Sequence, residues 1–216
     1  MSAQYLLGSS KLLRTLPSKV LTDFGIPVDR LQGPPRYVLV AGAEHPEATI
    51  LVENPHSFEA AVKADKECRF CWIATYGYGL SKSDESYGDQ MVNIVSQYSP
   101  VITLSRRPYY TEFKQAIEAA CNNLFFWGDL DLAGLDIYGR LKQFLPALKL
   151  SRLYQPMVEE LQRGGGHSYQ SAQKERQSLG EFPFEEIHEL SKICASVALD
   201  QEFVEVEKNL SLSGSE

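Results

Sequence analysis

The sequence predicts an α/β fold, and three observations carry that expectation. An apolar run, Leu124-Phe-Phe-Trp127, reads as a buried strand. It stops at Gly128, and a helical pattern follows in which Leu135, Ile137, Tyr138, Leu141, Phe144 and Leu145 recur. A second strand-to-helix passage lies upstream, where Thr49-Ile-Leu-Val52 leads through Glu53-Asn54-Pro55 into a helical stretch with Ser57 near its N-cap. Further apolar runs at 37–40, 71–75 and 101–104 supply the remaining strands of a sheet.

Length and composition fit one domain with appended elements. The chain has 216 residues, 44% hydrophobic and 23% charged, as in soluble globular proteins. It contains no apolar run of about 18 residues, so no membrane span is expected. The first residues lack a basic segment ahead of their short apolar patch, so a secretory signal is not expected and the cytoplasm is the expected compartment. Cys68 and Cys71 form a lone Cys-x-x-Cys on a strand-like run; with no second pair, reduced thiols are expected rather than a zinc site. Acidic residues outnumber basic ones, 28 to 21, which argues against a chain that wraps nucleic acid by itself. A metal-dependent nuclease is compatible with that balance, because its acids add to the negative total.

Taken in order, residues 9–32 carry a helical pattern broken by Pro17, and Gly33-Pro-Pro is a turn. The strands at 37–40 and 49–52 are expected to pair as a hairpin or lie as neighbours. Gly77 and Gly79 follow the third strand, but their spacing matches no dinucleotide or phosphate-loop motif. Residues 81–99 read as a polar surface insertion, and 110–122 as a helix. After the central stretch, 149–153 is the expected last strand and 154–163 another helix. Gly164-Gly-Gly166 through Gly180 reads as a flexible connection, and Ile187, Leu190, Ile193, Cys194, Val197 and Phe203 as one face of a long helix over 184–208. The expected division is a helical segment at 1–33, a core at 34–165, and a linker with a long helix at 166–216.

The chemistry concentrates in acids at strand ends. Side chains at i and i+2 of an extended segment point to the same side, so Asp129 and Asp131 converge. Two close carboxylates repel unless one is protonated or a cation lies between them, and Mg²⁺ is the simplest such cation. The plainer alternative is that Asp131, three residues before Gly134, caps the helix. Glu53 also ends a strand just before a helix. The four histidines form no ligand pair; His56, three residues after Glu53, suits a helix N-terminus, and Arg140 lies on the helix after the acids, on a solvated face or against a phosphate.

Strand-Glu-helix followed by strand-Asp-x-Asp-x-x-Gly-helix is the pattern of the Toprim domain of topoisomerases, bacterial primases and several nucleases. Ile50-Leu-Val-Glu53-Asn54 supplies the first motif and Trp127-Gly-Asp129-Leu-Asp131-Leu-Ala-Gly134 the second. The fuller wording, with Val-Glu-Asn-Pro-x-x-Phe, Trp-Gly-Asp-Leu-Asp-x-x-Gly-Leu and the late Asp200-Gln201-Glu202, is similar to the C-terminal Toprim domain of the JetD family. JetD is the nuclease component of the Wadjet plasmid-defence system and a relative of topoisomerase VI.

The resemblance implies a Rossmann-like domain with a mainly parallel central sheet flanked by helices, plus N- and C-terminal helical elements. It implies that Glu53, Asp129 and Asp131 hold one or two Mg²⁺ ions (Mn²⁺ as a substitute), that Glu53 also acts as general acid/base, and that Glu202 is a further metal ligand. The implied activity is metal-dependent hydrolysis of DNA in anti-plasmid or anti-phage defence, with other subunits, an SMC-like complex among them, supplying the DNA grip. Only about 30 residues precede the core, too few for the winged-helix region of these relatives, so either a cut from a longer chain or a stand-alone subunit is expected. The alternatives are a non-catalytic Toprim subunit that binds metal or partners, and a primase-like nucleotidyl transferase. The helix face at 184–208 serves packing or homodimerisation.

Overall fold

The computed structural model describes residues 17–25, 38–43, 46–75, 103–105 and 123–212. The chain divides into two compact units, Met1–Pro35 and Arg36–Glu216. In the first, the described part is a short helix, α1 (Ser18–Asp23), that begins just after Pro17. The second unit is a mixed α/β structure built on one mostly parallel sheet.

Three strands form the heart of that sheet: β2 (Ala48–Val52), β3 (Phe70–Ala74) and β5 (Leu124–Trp127). Every residue of all three is buried. Their runs show no alternation because both faces of a central parallel strand are covered, and Ile50, Phe125, Phe126 and Trp72 pack without a solvent side. With β1 (Val38–Gly42), β4 (Thr103–Ser105) and β6 (Lys149–Leu150), the order across the sheet is β4-β1-β3-β2-β5-β6. The pairs β2–β3, β2–β5 and β5–β6 are parallel, and β1 runs antiparallel to both its neighbours.

The expected pairing of β1 with β2 does not occur, since β3 lies between them. Both edges of β2 are taken by parallel partners, and parallel neighbours need a crossover rather than a tight turn. Helix α2 (Pro55–Ala64) supplies the crossover from β2 to β3. Its N-cap is Asn54, whose side chain accepts from the His56 amide at 2.9 Å, with Pro55 at the first helical position where its missing N–H costs nothing. Ser57 lies near the cap as expected, in the first turn, and is buried.

Helix α3 (Leu132–Phe144) carries the chain from β5 to β6 and buries Leu135, Ile137, Tyr138 and Leu141 against the sheet. The connection out of β2 goes to one side and that out of β5 to the other. The carboxyl ends of these adjacent strands therefore flank the point where the winding reverses, the usual place for a ligand site in such sheets.

After α4 (Tyr154–Gln162), the long helix expected at 184–208 breaks into pieces. Helix α5 covers only Glu185–Ile193, then β8 (Val197–Ala198) pairs with β7 (His167–Ser168), a 3-10 turn spans Gln201–Phe203, and α6 is Val206–Asn209. The helical period is overridden by backbone pairing: Val197 and Ala198 bond to β7, and Leu199 forms an antiparallel bridge with Leu130, amide to carbonyl in both directions at 2.9 and 3.2 Å. The expected insertion at 81–99 and the expected helix at 110–122 lie outside the described residues, as do Gly77, Gly79 and Cys121.

Candidate functional site

Register places the first acid. Val52 is paired with Trp127, so Glu53 and Gly128 leave the sheet side by side, and the Glu53 amide donates to the Trp127 carbonyl at 3.0 Å. The Glu53 carboxylate turns across to accept from the Asp129 amide at 3.1 Å. That approach needs two glycines. A methyl group on Gly128 would collide with the Glu53 carboxylate and with the Phe126 ring, and one on Gly134 would collide with the Asp129 carbonyl. The Gly128 amide, facing inward, donates to the buried Tyr154 hydroxyl at 2.9 Å.

Asp129 and Asp131 stay extended past the strand end. Leu130 between them is fully buried, and the two carboxylates reach the same partner. Asp131 does two jobs. One oxygen caps α3 by accepting from the Gly134 amide at 2.8 Å, so the helix begins two residues before Gly134. The other faces the site. Capping and converging are therefore both realised in one side chain.

The partner is a lysine. Lys174 Nζ lies 3.1 Å from Asp129 Oδ2, 2.8 Å from Asp131 Oδ2 and 2.8 Å from Asp200 Oδ1. An ammonium has three donors, and here each meets a different carboxylate. Lys174 belongs to a strap, residues 169–180, laid over the start of α3. The Tyr169 hydroxyl accepts from the Leu132 amide at 3.1 Å and donates to the Cys194 carbonyl at 2.8 Å. Gln177 donates to Asp131 Oδ2 at 2.9 Å and accepts from the Ala133 amide, and the Gly180 amide donates to Asp136. The segment expected as a flexible connection is thus tied down at four side chains or amides.

The C-terminal pieces close the other side. The Leu130–Leu199 bridge delivers Asp200 and Gln201 to the acids. The Gln201 amide donates to Asp129 Oδ1 at 2.9 Å, its side chain donates to the Trp127 carbonyl at 2.9 Å, and its side-chain oxygen accepts from the Asn54 amide at 3.1 Å. Gln201 is fully buried, and it joins the Glu53 strand end to the Asp129 strand end. Asp200 also meets His167 at 3.2 Å.

Electrostatics follow from this packing. Burial, reinforced by the Asp129 charge, pushes the Glu53 carboxyl up to about 8, so it keeps its proton near neutrality. Burial raises Asp129 as well, against the pull of the Gln201 amide and Lys174. Burial works against the Lys174 charge, but its bonds to Asp131 and Asp200 more than reverse this and hold it well above the ordinary lysine value. Asp200 is held below its ordinary range by Lys174 and His167, which outweigh its burial.

The three acids singled out in the sequence, Glu53, Asp129 and Asp131, meet at two neighbouring strand ends. The late triplet divides otherwise than expected. Glu202 is exposed on the 3-10 turn and does not join the acids, whereas its neighbours Asp200 and Gln201 do. Arg140 is engaged on its own helix with Asp136 at 2.6 Å, and His56 sits exposed in the first turn of α2. Lys174 and Gln177 escape a reading of the sequence because they lie in a polar stretch with no periodicity, where only tertiary contact gives a residue its meaning.

Among the described residues, no group of three or more His, Cys, Asp or Glu side chains is placed to hold a metal ion as the site stands. The reason is visible: Glu53 is drawn to the Asp129 amide, and Lys174 stands between the aspartates. The donor chemistry nevertheless suits Mg²⁺, since hard carboxylate oxygens converge and the place they share already holds a positive charge. Among the described residues no helix is long and apolar enough to cross a membrane. No curated protein matches the chain. Residues 109–210, which contain Asp129, Asp131, Lys174, Asp200 and Gln201 but not Glu53, match the family described as Wadjet protein JetD, C-terminal.

Proposed function

We propose that the chain is a Mg²⁺-dependent DNA endonuclease subunit of a Wadjet-type defence system, built on a Toprim domain and acting with protein partners that supply the grip on DNA. One observation carries the reading: Glu53, Asp129 and Asp131 meet where the sheet's winding reverses, with one lysine bridging the two aspartates, and two of the three lie within the segment similar to JetD. Asp129 and Asp131 would hold the metal through the oxygens that now face Lys174, with Glu53 completing the set. Bound Mg²⁺ would neutralise charge on the phosphoryl group and lower the pKa of the attacking water. Glu53, beside the Asp129 amide at the neighbouring strand end, would serve as general acid/base. Tyr154 and Gln201 fix the two strand ends so that the acids keep their spacing. Hydrolysis by water, with no covalent tyrosine, is the chemistry these residues support.

One observation favours a second reading. A lysine already balances the aspartates, so the site is stable with no metal, as a non-catalytic Toprim subunit would require. Cleavage of supercoiled plasmid in Mg²⁺ or Mn²⁺ separates the two. Nicking or linearisation that Asp129→Ala and Glu53→Ala both abolish, in folded protein, is the expected result. A folded chain that stays inactive with its partner subunits present would sink the nuclease reading.

A further inference from the structure

The site's most specific feature is a cation that belongs to the chain. All three donors of Lys174 are spent on Asp129, Asp131 and Asp200, and the side chain is four-fifths shielded from solvent. An ammonium and a hard divalent ion compete for the same carboxylate oxygens, and both cannot sit within about 3 Å of Asp129 Oδ2 and Asp131 Oδ2. The strap that carries Lys174 does not depend on it. Tyr169 is anchored to Leu132 and Cys194 before the lysine, and after it Gln177 accepts from the Ala133 amide and the Gly180 amide donates to Asp136, none of these bonds using an oxygen that faces Lys174. The ammonium can therefore leave the acids while the backbone around it stays docked.

We propose that Lys174 is a tethered competitor for the metal position: it occupies the acid site in the metal-free chain, and divalent metal binds only as its ammonium withdraws. This rests on the metal reading above. It assigns the lysine a regulatory role, setting the metal concentration at which the site loads, because a site competent in only a fraction of molecules binds more weakly by that fraction. It also makes Asp200 part of the same device. Asp200 is half-exposed and also holds Lys174, a partner that the ammonium can keep when it leaves Asp129 and Asp131.

Two measurements on the purified chain test this. The first is calorimetric titration with Mn²⁺ of wild type, Lys174→Met and Asp131→Asn. The expected result is measurable binding to wild type, at least about tenfold tighter binding to Lys174→Met, and none to Asp131→Asn. A merely structural lysine would give the opposite, since its loss would loosen the acids and weaken the metal. Equal or weaker binding by folded Lys174→Met overturns the competitor role and leaves the metal reading standing. No binding by wild type or Lys174→Met overturns the metal reading and the competitor role with it. The second needs no variant. Amine-directed labelling of wild type, read by mass spectrometry, is expected to spare Lys174 in chelator and modify it in Mn²⁺, with exposed lysines such as Lys66 as an internal reference. Unchanged protection of Lys174 in a metal-loaded chain overturns the proposal even if Lys174→Met fails to fold.

Discussion

At the residue scale, Glu53 shows how the site stores a response to pH. Folded and free of metal, it keeps its proton up to about 8, against an ordinary value of 4.5. Between those values the folded chain therefore holds a proton that the unfolded chain has released. Raising the pH through that window works against folding, by at most about 1.4 kcal/mol per pH unit. The contribution is fully present below the lower value and gone above the upper one. Glu53→Gln, which cannot ionise, is expected to lose less stability than wild type between pH 5 and pH 8.5 in chelator, read from urea midpoints. Parallel slopes in the two proteins would mean that Glu53 is ionised throughout. The same residue explains the glycines of its motif: Gly128 and Gly134 are where they are because the Glu53 carboxylate and the Asp129 carbonyl occupy the space a side chain would need.

At the element scale, what was legible in the sequence is what local pattern decides. The continuous apolar runs of β2, β3 and β5 identify strands covered on both faces, and the acids following β2 and β5 were readable as strand ends because both runs stop abruptly at a polar or glycine position. Sheet order was not readable, since nothing in Val38–Gly42 names Phe70–Ala74 as its partner rather than Ala48–Val52. The C-terminal helix is shorter than its pattern predicts for a related reason: Val197 and Phe203 continue a helical period, yet Val197 pairs with Ser168 and Phe203 is 45% exposed. Long-range backbone pairing outweighed local periodicity in both cases. The strap is the clearest instance. Its contacts are polar and non-local, so Lys174 and Gln177 leave no mark in composition or spacing. Its anchoring can be tested at Tyr169, whose hydroxyl bridges Leu132 and Cys194. Tyr169→Phe leaves the Leu132 amide and the Cys194 carbonyl without that partner, a loss of about 1–3 kcal/mol where the groups stay buried. Faster amide hydrogen exchange at Leu132 and across 169–180, with the sheet amides unchanged, is the expected signature. Uniform acceleration through the whole unit would show instead that the strap is part of the global fold.

At the scale of the whole molecule, the proposed function raises the question of how an acidic chain would meet DNA. Its formal charge is −7, and the site itself gathers Asp129, Asp131 and Asp200 around one lysine, with Glu53 beside them. A phosphate backbone approaching that site meets net negative charge unless a divalent ion has loaded it. Affinity for DNA drawn from clustered Lys and Arg is sequence-independent and salt-sensitive, typically micromolar or weaker when non-specific, and in this chain 28 acidic residues outnumber 21 basic ones. The proposed function therefore requires that DNA binding by the chain alone be metal-dependent. Fluorescence anisotropy with a short duplex should show no binding in chelator below about 10 µM protein, and a measurable gain in Ca²⁺, which takes the same oxygen ligands. Asp129→Asn should abolish that gain, because a carboxylate that would hold the ion is lost. Tight binding in chelator, unchanged by Asp129→Asn, would place the DNA on another surface and separate the acid site from it. Metal-dependent binding that stays weak would fit a subunit whose partners hold the duplex while this chain supplies the acids, the division of labour that its resemblance to one part of JetD suggests.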